Sequence, residues 1–447
     1  MSFLKLLGFD SQKHSVRTEI VAGITTFLTM AYILAVNPEI FGNLESMGMP
    51  KNAVFTATAL AALVGTLIMA VYAKKPYALA PGLGLNAFFV YTVCLTMGCS
   101  WQFALTAVFI EGIIFVILTV TNVREAIINA IPKAMKSAVS AGIGLFIAFI
   151  GLYNSGIVVG GGGTVVGLGD IMHGTAALAL IGLAITAVLM IKKVRGAMLI
   201  GIILTAILGL FFEHEVVYAD GTSEMKPVTV FTGIVGAVPS IEKIWWQFEW
   251  HNILTKDMII VVFTFLFIDM FDTIGTVIGV SKKANAMNPD GTIPGVKKVL
   301  MADAVATVFG AMFGTSTTTT YVESASGVAE GGRTGLTSFT VAVCFAISLF
   351  FAPLFTAIPS AATAPALILV GCMMMTSILD VDFTDYSESI PAYICMIMMP
   401  LAYSISDGIM LGMISYVVLN VICGNFKKIN LMTWILVILF IVRYACL

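Results

Sequence analysis

The stretch FGTSTTTTYVESASGVAEGGR, residues 313–333, decides how this chain folds. It lies between two apolar segments, at a depth where so hydrophobic a chain is inside lipid. Yet it carries a run of hydroxyls at 315–320, then Tyr321, then a carboxylate, Glu323. The β-branched run favours an extended backbone, and the Ser, Ala and Gly that follow permit a short helix. A strand that runs into a half-helix leaves backbone N–H and C=O groups unpaired. A membrane tolerates that only where the backbone is buried in protein or lines a polar cavity. A carboxylate at the start of such a half-helix is a functional-site residue by default.

The rest of the chain supplies the membrane. Of its 447 residues 59% are hydrophobic and 11% charged, with mean hydropathy +1.00; soluble chains carry about 25% charged residues. Apolar runs of about 20 residues recur, the length that crosses the hydrocarbon core. The expectation is an all-α polytopic membrane protein with the lipid bilayer as its surroundings. Nothing points to a nucleic-acid partner, because the formal net charge is −2 and there is no basic tract. The seven cysteines are scattered without a CxxC, so they read as small apolar residues rather than disulfides or metal ligands. The charged N-terminal stretch has no small-residue cleavage site, and no cleaved signal peptide is expected.

About fourteen transmembrane segments are expected: 18–37, 52–73, 77–97, 101–120, 132–153, 172–191, 196–212, 257–280, 299–313, the opening stretch, 336–355, 364–379, 390–403 and 408–423. An amphipathic piece covers 122–131. An extracytoplasmic loop covers 213–256. A C-terminal hydrophobic tail, 429–447, holds a last apolar run at 431–442 that reads as peripheral. With the N-terminus cytoplasmic, eighteen of the 23 Lys and Arg fall inside and four outside (Lys51, Lys226, Lys243 and Lys256), with Arg443 unassigned. That asymmetry supports the count. Seven plus seven predicts an inverted repeat. Ala57, Ala59, Ala61 and Gly65 recur at one constant offset as Ala302, Ala304, Ala306 and Gly310. The third segment of each half is the irregular one, broken at Pro81-Gly82-Leu83-Gly84 and Thr-rich at 315–320. Short extended strands and half-helices are therefore expected in segments 3 and 10, and paired interruptions of this kind point to a substrate site.

Five carboxylates lie within segments: Glu111, Asp269, Asp272, Asp303 and Glu323. An ionised Asp costs roughly 2.5–3.5 kcal/mol at a helix centre. Asp269 and Asp272 are three apart and share a helix face. Two close carboxylates disfavour joint ionisation, so this pair is a candidate for proton coupling. Glu323 near a helix start is stabilised as an anion and suits a neutral ligand rich in N–H groups. Asn86 offers both a donor and an acceptor, while Gly82 and Gly84 allow close backbone approach. Glu111 and Asp303 read mainly as ties between helices. Thr25, Thr26 and Thr29 are candidates to line the site, although Thr also bonds its own helix. Glu330 and Arg333 read as a surface pair. Trp245, Trp246, Phe248 and Trp250 fit an aromatic belt.

Other motifs fail. The glycine-rich SGIVVGGGGTVVGLGD lacks the GK[ST] of a phosphate loop. The DMFD pair lacks the second acidic motif and the basic residues that metal–diphosphate chemistry needs. The four histidines fall at segment ends or in loops, so no catalytic base is expected, nor any cofactor or metal.

AGITTFLTMAYILAVNP (22–38), PGLGLNAFF (81–89), TNVREAIINAIP (121–132), IDMFDTIGT (268–276) and GTSTTTTYVESASGV (314–328) resemble the purine permeases of the azaguanine type. These are nucleobase:cation symporters related to the uracil:proton symporter. The resemblance implies a core domain (18–120 and 257–357, segments 1–4 and 8–11) and a gate domain (122–212 and 364–423, segments 5–7 and 12–14). It implies import of guanine, hypoxanthine or adenine coupled to protons at the cytoplasmic membrane, with a homodimer by analogy to related folds. It places substrate contacts on Asp269, Glu323, Gly84 and Asn86, and a second acid on Asp272. Proton coupling falls to Asp269, Asp272 and Glu323, because segment 8 lacks the histidine of the uracil branch. Phe88, Phe271 or Tyr321 is expected to stack on the ring. The alternative is a uniporter or sodium-coupled carrier of another nucleobase or small solute.

Overall fold

The computed structural model describes residues 3–121, 132–160, 164–217, 223–231, 233–284, 293–430 and positions 433–434, 437–438 and 441. The expected amphipathic piece 122–131 and most of the last apolar run lie outside the described residues. Fourteen segments follow in order. Segment 1 is Val16–Met30 with Ile33–Gly42, and segment 2 is Lys51–Ile68 with wide turns over Met69–Ala73. Segment 3 is strand β1 (Leu79–Pro81), the helical turn Leu83–Ala87 and the wide-turned Phe88–Thr96. Segments 4 to 7 are Trp101–Val120, Lys133–Asn154, Gly174–Ile191 and Ala197–Leu208. Segments 8 and 9 are Lys256–Lys283 and Val296–Phe313. Segment 10 is strand β2 (Thr318–Thr320) with the half-helix Ser324–Ala329. Segments 11 to 14 start at Gly335–Ser348, Ser360–Met374, Tyr386–Leu401 and Ile405–Ile422. Among the described residues eight helices are long and apolar enough to cross a membrane alone. Leu83–Thr96 and Ala197–Leu208 are shorter apolar helices. Ile113, Ile117, Ile181, Val188 and Ile347 face outward, as a lipid-facing surface requires.

The packing shows the repeat. Segment 4 packs on 9 and segment 11 on 2; segment 1 packs on 11 and segment 8 on 4; segment 5 packs on 13 and segment 12 on 6. Adding seven to each number, cyclically over the fourteen, turns one member of each pair of contacts into the other. Segments 2 and 9, equivalent in the two halves, pack on each other, as do 5 and 12. The fold is thus an all-α 7+7 inverted repeat. The small-residue stripe that recurs between halves is this central seam: a Cβ on Gly65 would lie 2.9 Å from the Ala306 Cβ. Small residues let membrane helices approach closely, where dispersion rather than the hydrophobic effect holds them.

The two strands pair antiparallel where segments 3 and 10 meet, with Leu79 opposite Thr320, Ala80 opposite Thr319 and Pro81 opposite Thr318. Groups that the two-stranded ladder leaves over are satisfied from outside it. Thr66 Oγ1 bonds both Leu79 N and Leu79 O, at 2.9 and 3.0 Å. Ala78 N donates to Ser324 Oγ, Gly82 N to Thr317 O and Tyr321 N to Ala78 O. Thr307 Oγ1 donates to Thr318 O. Each such bond removes an unpaired group that would cost several kcal/mol in lipid.

Two expectations change, and the long loop gains detail. Segment 1 does not stop at Pro38. Its helix breaks at Ala31–Tyr32, resumes, and takes Pro38 inside Ile33–Gly42. Within the stretch 213–256, expected as a loop, Glu213–Val217 and Ser223–Pro227 form a hairpin, and Trp246 N bonds Met312 O. Glu330 does not pair with Arg333. It takes Arg195 from the turn between segments 6 and 7 at 2.5 Å, while the Arg333 guanidinium donates to the Val328 and Gly332 carbonyls. Residue 330 ends the half-helix and residue 333 lies beyond Gly331 at φ +102°, so the i,i+3 geometry of a continuous helix is lost.

Candidate functional site

The hydroxyl run of segment 10 proves to be a set of rivets. Thr315 Oγ1 accepts from Asn37 of segment 1 at 3.0 Å. Ser316 Oγ donates to Asn86 Oδ1 of segment 3, and Thr317 Oγ1 to Glu111 Oε2 of segment 4 at 2.6 Å. Thr319 and Thr273 of segment 8 share a hydroxyl–hydroxyl bond of 2.7 Å. Thr320 gives both its N–H and its hydroxyl to Asp303 Oδ1 of segment 9, at 2.9 and 3.1 Å. Every residue from Thr315 to Thr320 is buried. Glu111 and Asp303 are thus ties, as their positions in the sequence led us to expect.

Asp269 is fully buried, and its Oδ1 accepts from Thr273 Oγ1 at 3.1 Å. The same Thr273 hydroxyl lies 2.9 Å from Asp303 Oδ2. Asp272, one turn further along segment 8, is only half-buried. A Cβ on Gly82 would stand 3.5 Å from Asp272 Oδ2, so this carboxylate lies beside the bare backbone where the segment 3 helix starts.

Glu323 is also half-buried. It sits at the N-cap position, yet its side chain caps nothing. Its Oε1 instead accepts from the Tyr32 hydroxyl at 2.6 Å. Asp272, Glu323, Tyr32 and Tyr321 lie within electrostatic range of one another. The structure therefore gathers acids from segments 8 and 10 around the strand crossing, with a phenol from segment 1.

The other expected residues fall as follows. Asn86 is fully buried; Ser316 occupies its Oδ1, and its Nδ2 has no partner among the described residues. The Tyr321 hydroxyl donates to Pro81 O at 2.5 Å, pinning segment 10 across segment 3. A Cβ on Gly84 would come within 2.7 Å of Ile143 Cγ2, so the missing side chain lets segment 3 lie against segment 5. Phe88 packs edge-on against Phe265, with centroids 4.8 Å apart. The Phe271 side chain lies outside the described residues. Thr29 bonds its own helix at Thr25 O and Thr26 O, and also Ser326 of the half-helix at 2.8 Å.

Tyr32 escaped the sequence reading. Its signal was a phenol in the middle of an apolar segment, because a buried Tyr hydroxyl nearly always has a partner. Among the described residues no group of three or more His, Cys, Asp or Glu is placed to hold a metal ion, and no Lys or Arg is buried. Charge at the crossing is acidic.

Known proteins agree with this architecture. The chain is 43% identical to the guanine/hypoxanthine permease PbuG of Bacillus subtilis, over 98% of each chain. It is 39% identical to the adenine permease AdeQ of Escherichia coli, over 98% of this chain and 95% of that one. Among solved structures it superposes on the transmembrane domain of the cyanobacterial bicarbonate transporter BicA with TM-score 0.62, over 89% of this chain and 97% of that one. At 14% identity that likeness concerns the fold alone. The Xan_ur_permease family, described as a permease family, matches residues 17–411, and the chain belongs to it.

Proposed function

We propose that this protein is a secondary transporter that carries purine nucleobases across the cell membrane together with protons. The observation that carries the reading is the pair of half-buried carboxylates, Asp272 and Glu323, at the crossing of two interrupted segments. A purine is flat, neutral and rich in N–H donors, which carboxylates accept, and Asn86 Nδ2 is a donor for a ring nitrogen or a carbonyl. An anion would call for a basic group, and among the described residues none is buried. The relatives named as guanine/hypoxanthine and adenine permeases support the substrate class.

Asp269 and Asp303 both reach Thr273, whose single hydroxyl proton serves one acceptor at a time. In this reading Asp269, one helical turn from Asp272, holds the carried proton. Alternating access follows if segments 1–4 and 8–11 move as a core against a gate of segments 5–7 and 12–14, with the N-terminus cytoplasmic. Polar side-chain contacts between core and gate include the following pair. Asn154 of segment 5 donates to the Tyr91 hydroxyl of segment 3 at 2.8 Å, and Arg195 pairs with Glu330. By segment count they lie at opposite faces.

The test is ligand-induced stabilisation of purified protein in detergent. Hypoxanthine, guanine or adenine should raise the melting temperature, and uracil and bicarbonate should not. A rise with bicarbonate alone would overturn the substrate class.

A further inference from the structure

We propose that Tyr32 is a positioning residue for the substrate: its hydroxyl fixes one oxygen of Glu323 and leaves the other turned to the ligand. The proposal rests on the reading of Glu323 as a purine contact and deepens it.

Segment 1 is the third interrupted segment at this crossing. Its first helix ends at Met30, Ala31 and Tyr32 form a turn, and the second helix restarts at Ile33. The turn is tight, with Leu34 N bonding Ala31 O and Ala35 N bonding Tyr32 O. It leaves Tyr32 only 1% exposed.

Segment 1 meets the half-helix of segment 10 at three successive levels. At the first, a Cβ on Gly327 would fall 2.4 Å from Ala22 O and 2.2 Å from Thr26 Oγ1, so the two backbones lie flush. At the second, Thr29 bonds Ser326. Those two levels hold the half-helix in place. The third differs, because Tyr32 bonds an ionisable side chain, the Glu323 carboxylate.

A carboxylate has about four acceptor positions. Tyr32 fills one of them, on Oε1, and the backbone of residue 323 itself lies near the carboxylate. The residue is half-buried, so acceptor positions remain for an N–H donor from outside, which the proposal assigns to the ligand. At 2.6 Å the bond has the length of a charge-assisted O–H···O⁻ contact. A carboxylate held this way loses no rotamer freedom when ligand binds, which is preorganisation.

The experiment measures hypoxanthine affinity and ligand-free melting temperature for wild type, Tyr32→Phe and Thr29→Ala. Thr29→Ala removes the anchoring bond one level away and serves as the control. The expected result is a loss of affinity of about tenfold or more in Tyr32→Phe, the scale of a hydrogen bond to a charged group. Thr29→Ala should stay within about twofold, and neither variant should melt more than a few degrees below wild type. Equal losses in the two variants would assign Tyr32 to anchoring and overturn the proposal. So would a Tyr32→Phe protein that binds as wild type does, or one that melts well below it. In each of those cases wild type still binds purine, and the reading of the substrate stands. Wild-type protein that binds no purine would overturn the reading, and the inference with it.

Discussion

Asp303 Oδ1 lies 2.9 Å from the backbone nitrogen of Thr320, so a carboxylate of segment 9 ends the strand of segment 10. The aspartate does for a strand in the membrane what a cap does for a helix end. Asp303→Ala would leave the Thr320 N–H buried without its acceptor, at a cost of about 1–3 kcal/mol. The expected outcome is a lowered melting temperature in detergent. Asp303→Asn keeps an acceptor oxygen and should melt between the two.

The central seam gives a prediction that compensates itself. Gly65→Ala drives a methyl into the Ala306 Cβ, 2.9 Å away, and overpacking of this kind costs about 1–3 kcal/mol. Ala306→Gly in the same protein makes room again and should restore most of the lost stability. Thermal unfolding of the two single variants and the double variant checks it, because residues in contact are those whose effects do not add.

Movement of the core against the gate is testable at Arg195 and Glu330, which meet at 2.5 Å. Arg195→Cys with Glu330→Cys, with the exposed Cys372 and Cys423 replaced by Ser, allows a short bis-maleimide to bridge the pair. Uptake should fall to background after bridging. It should persist in either single-cysteine protein treated alike. Undiminished uptake in the bridged protein would mean that these segments do not separate during transport.

The carboxylates should divide by role. Asp272→Asn and Glu323→Gln replace acceptors with partial donors at the proposed contacts for the substrate's N–H groups. Each should weaken hypoxanthine binding by roughly 10- to 100-fold, as expected for hydrogen bonds involving a charged group. Asp269→Asn removes the acid that shares Thr273 with Asp303. It should abolish accumulation driven by a pH gradient, which a gradient-driven assay reads directly.

Much of this was legible in the sequence because composition and breakers act locally. The strand at the hydroxyl run and the break at Pro81-Gly82 follow from backbone sterics that few partners can override. The repeat was legible through Ala57 to Gly65 and Ala302 to Gly310, because the seam they form admits only small side chains. The use of the hydroxyls was not. Whether Thr317 lines a cavity or binds Glu111 depends on segment 4, some 200 residues away. The break at Ala31–Tyr32 was hidden for a similar reason. It contains neither Gly nor Pro, and contacts with segment 10 hold it. The expected Glu330–Arg333 pair assumed a helix that stops three residues too soon.

Uptake into proteoliposomes decides whether this protein carries purines together with protons. The measurement is accumulation of radiolabelled hypoxanthine under an imposed inward pH gradient, with unlabelled guanine, adenine, uracil and bicarbonate as competitors. Accumulation should collapse with the gradient, be blocked by purines only, and be absent from Glu323→Gln. Lack of hypoxanthine uptake under pH or sodium gradients alike, or uptake that Glu323→Gln leaves unchanged, would contradict this reading.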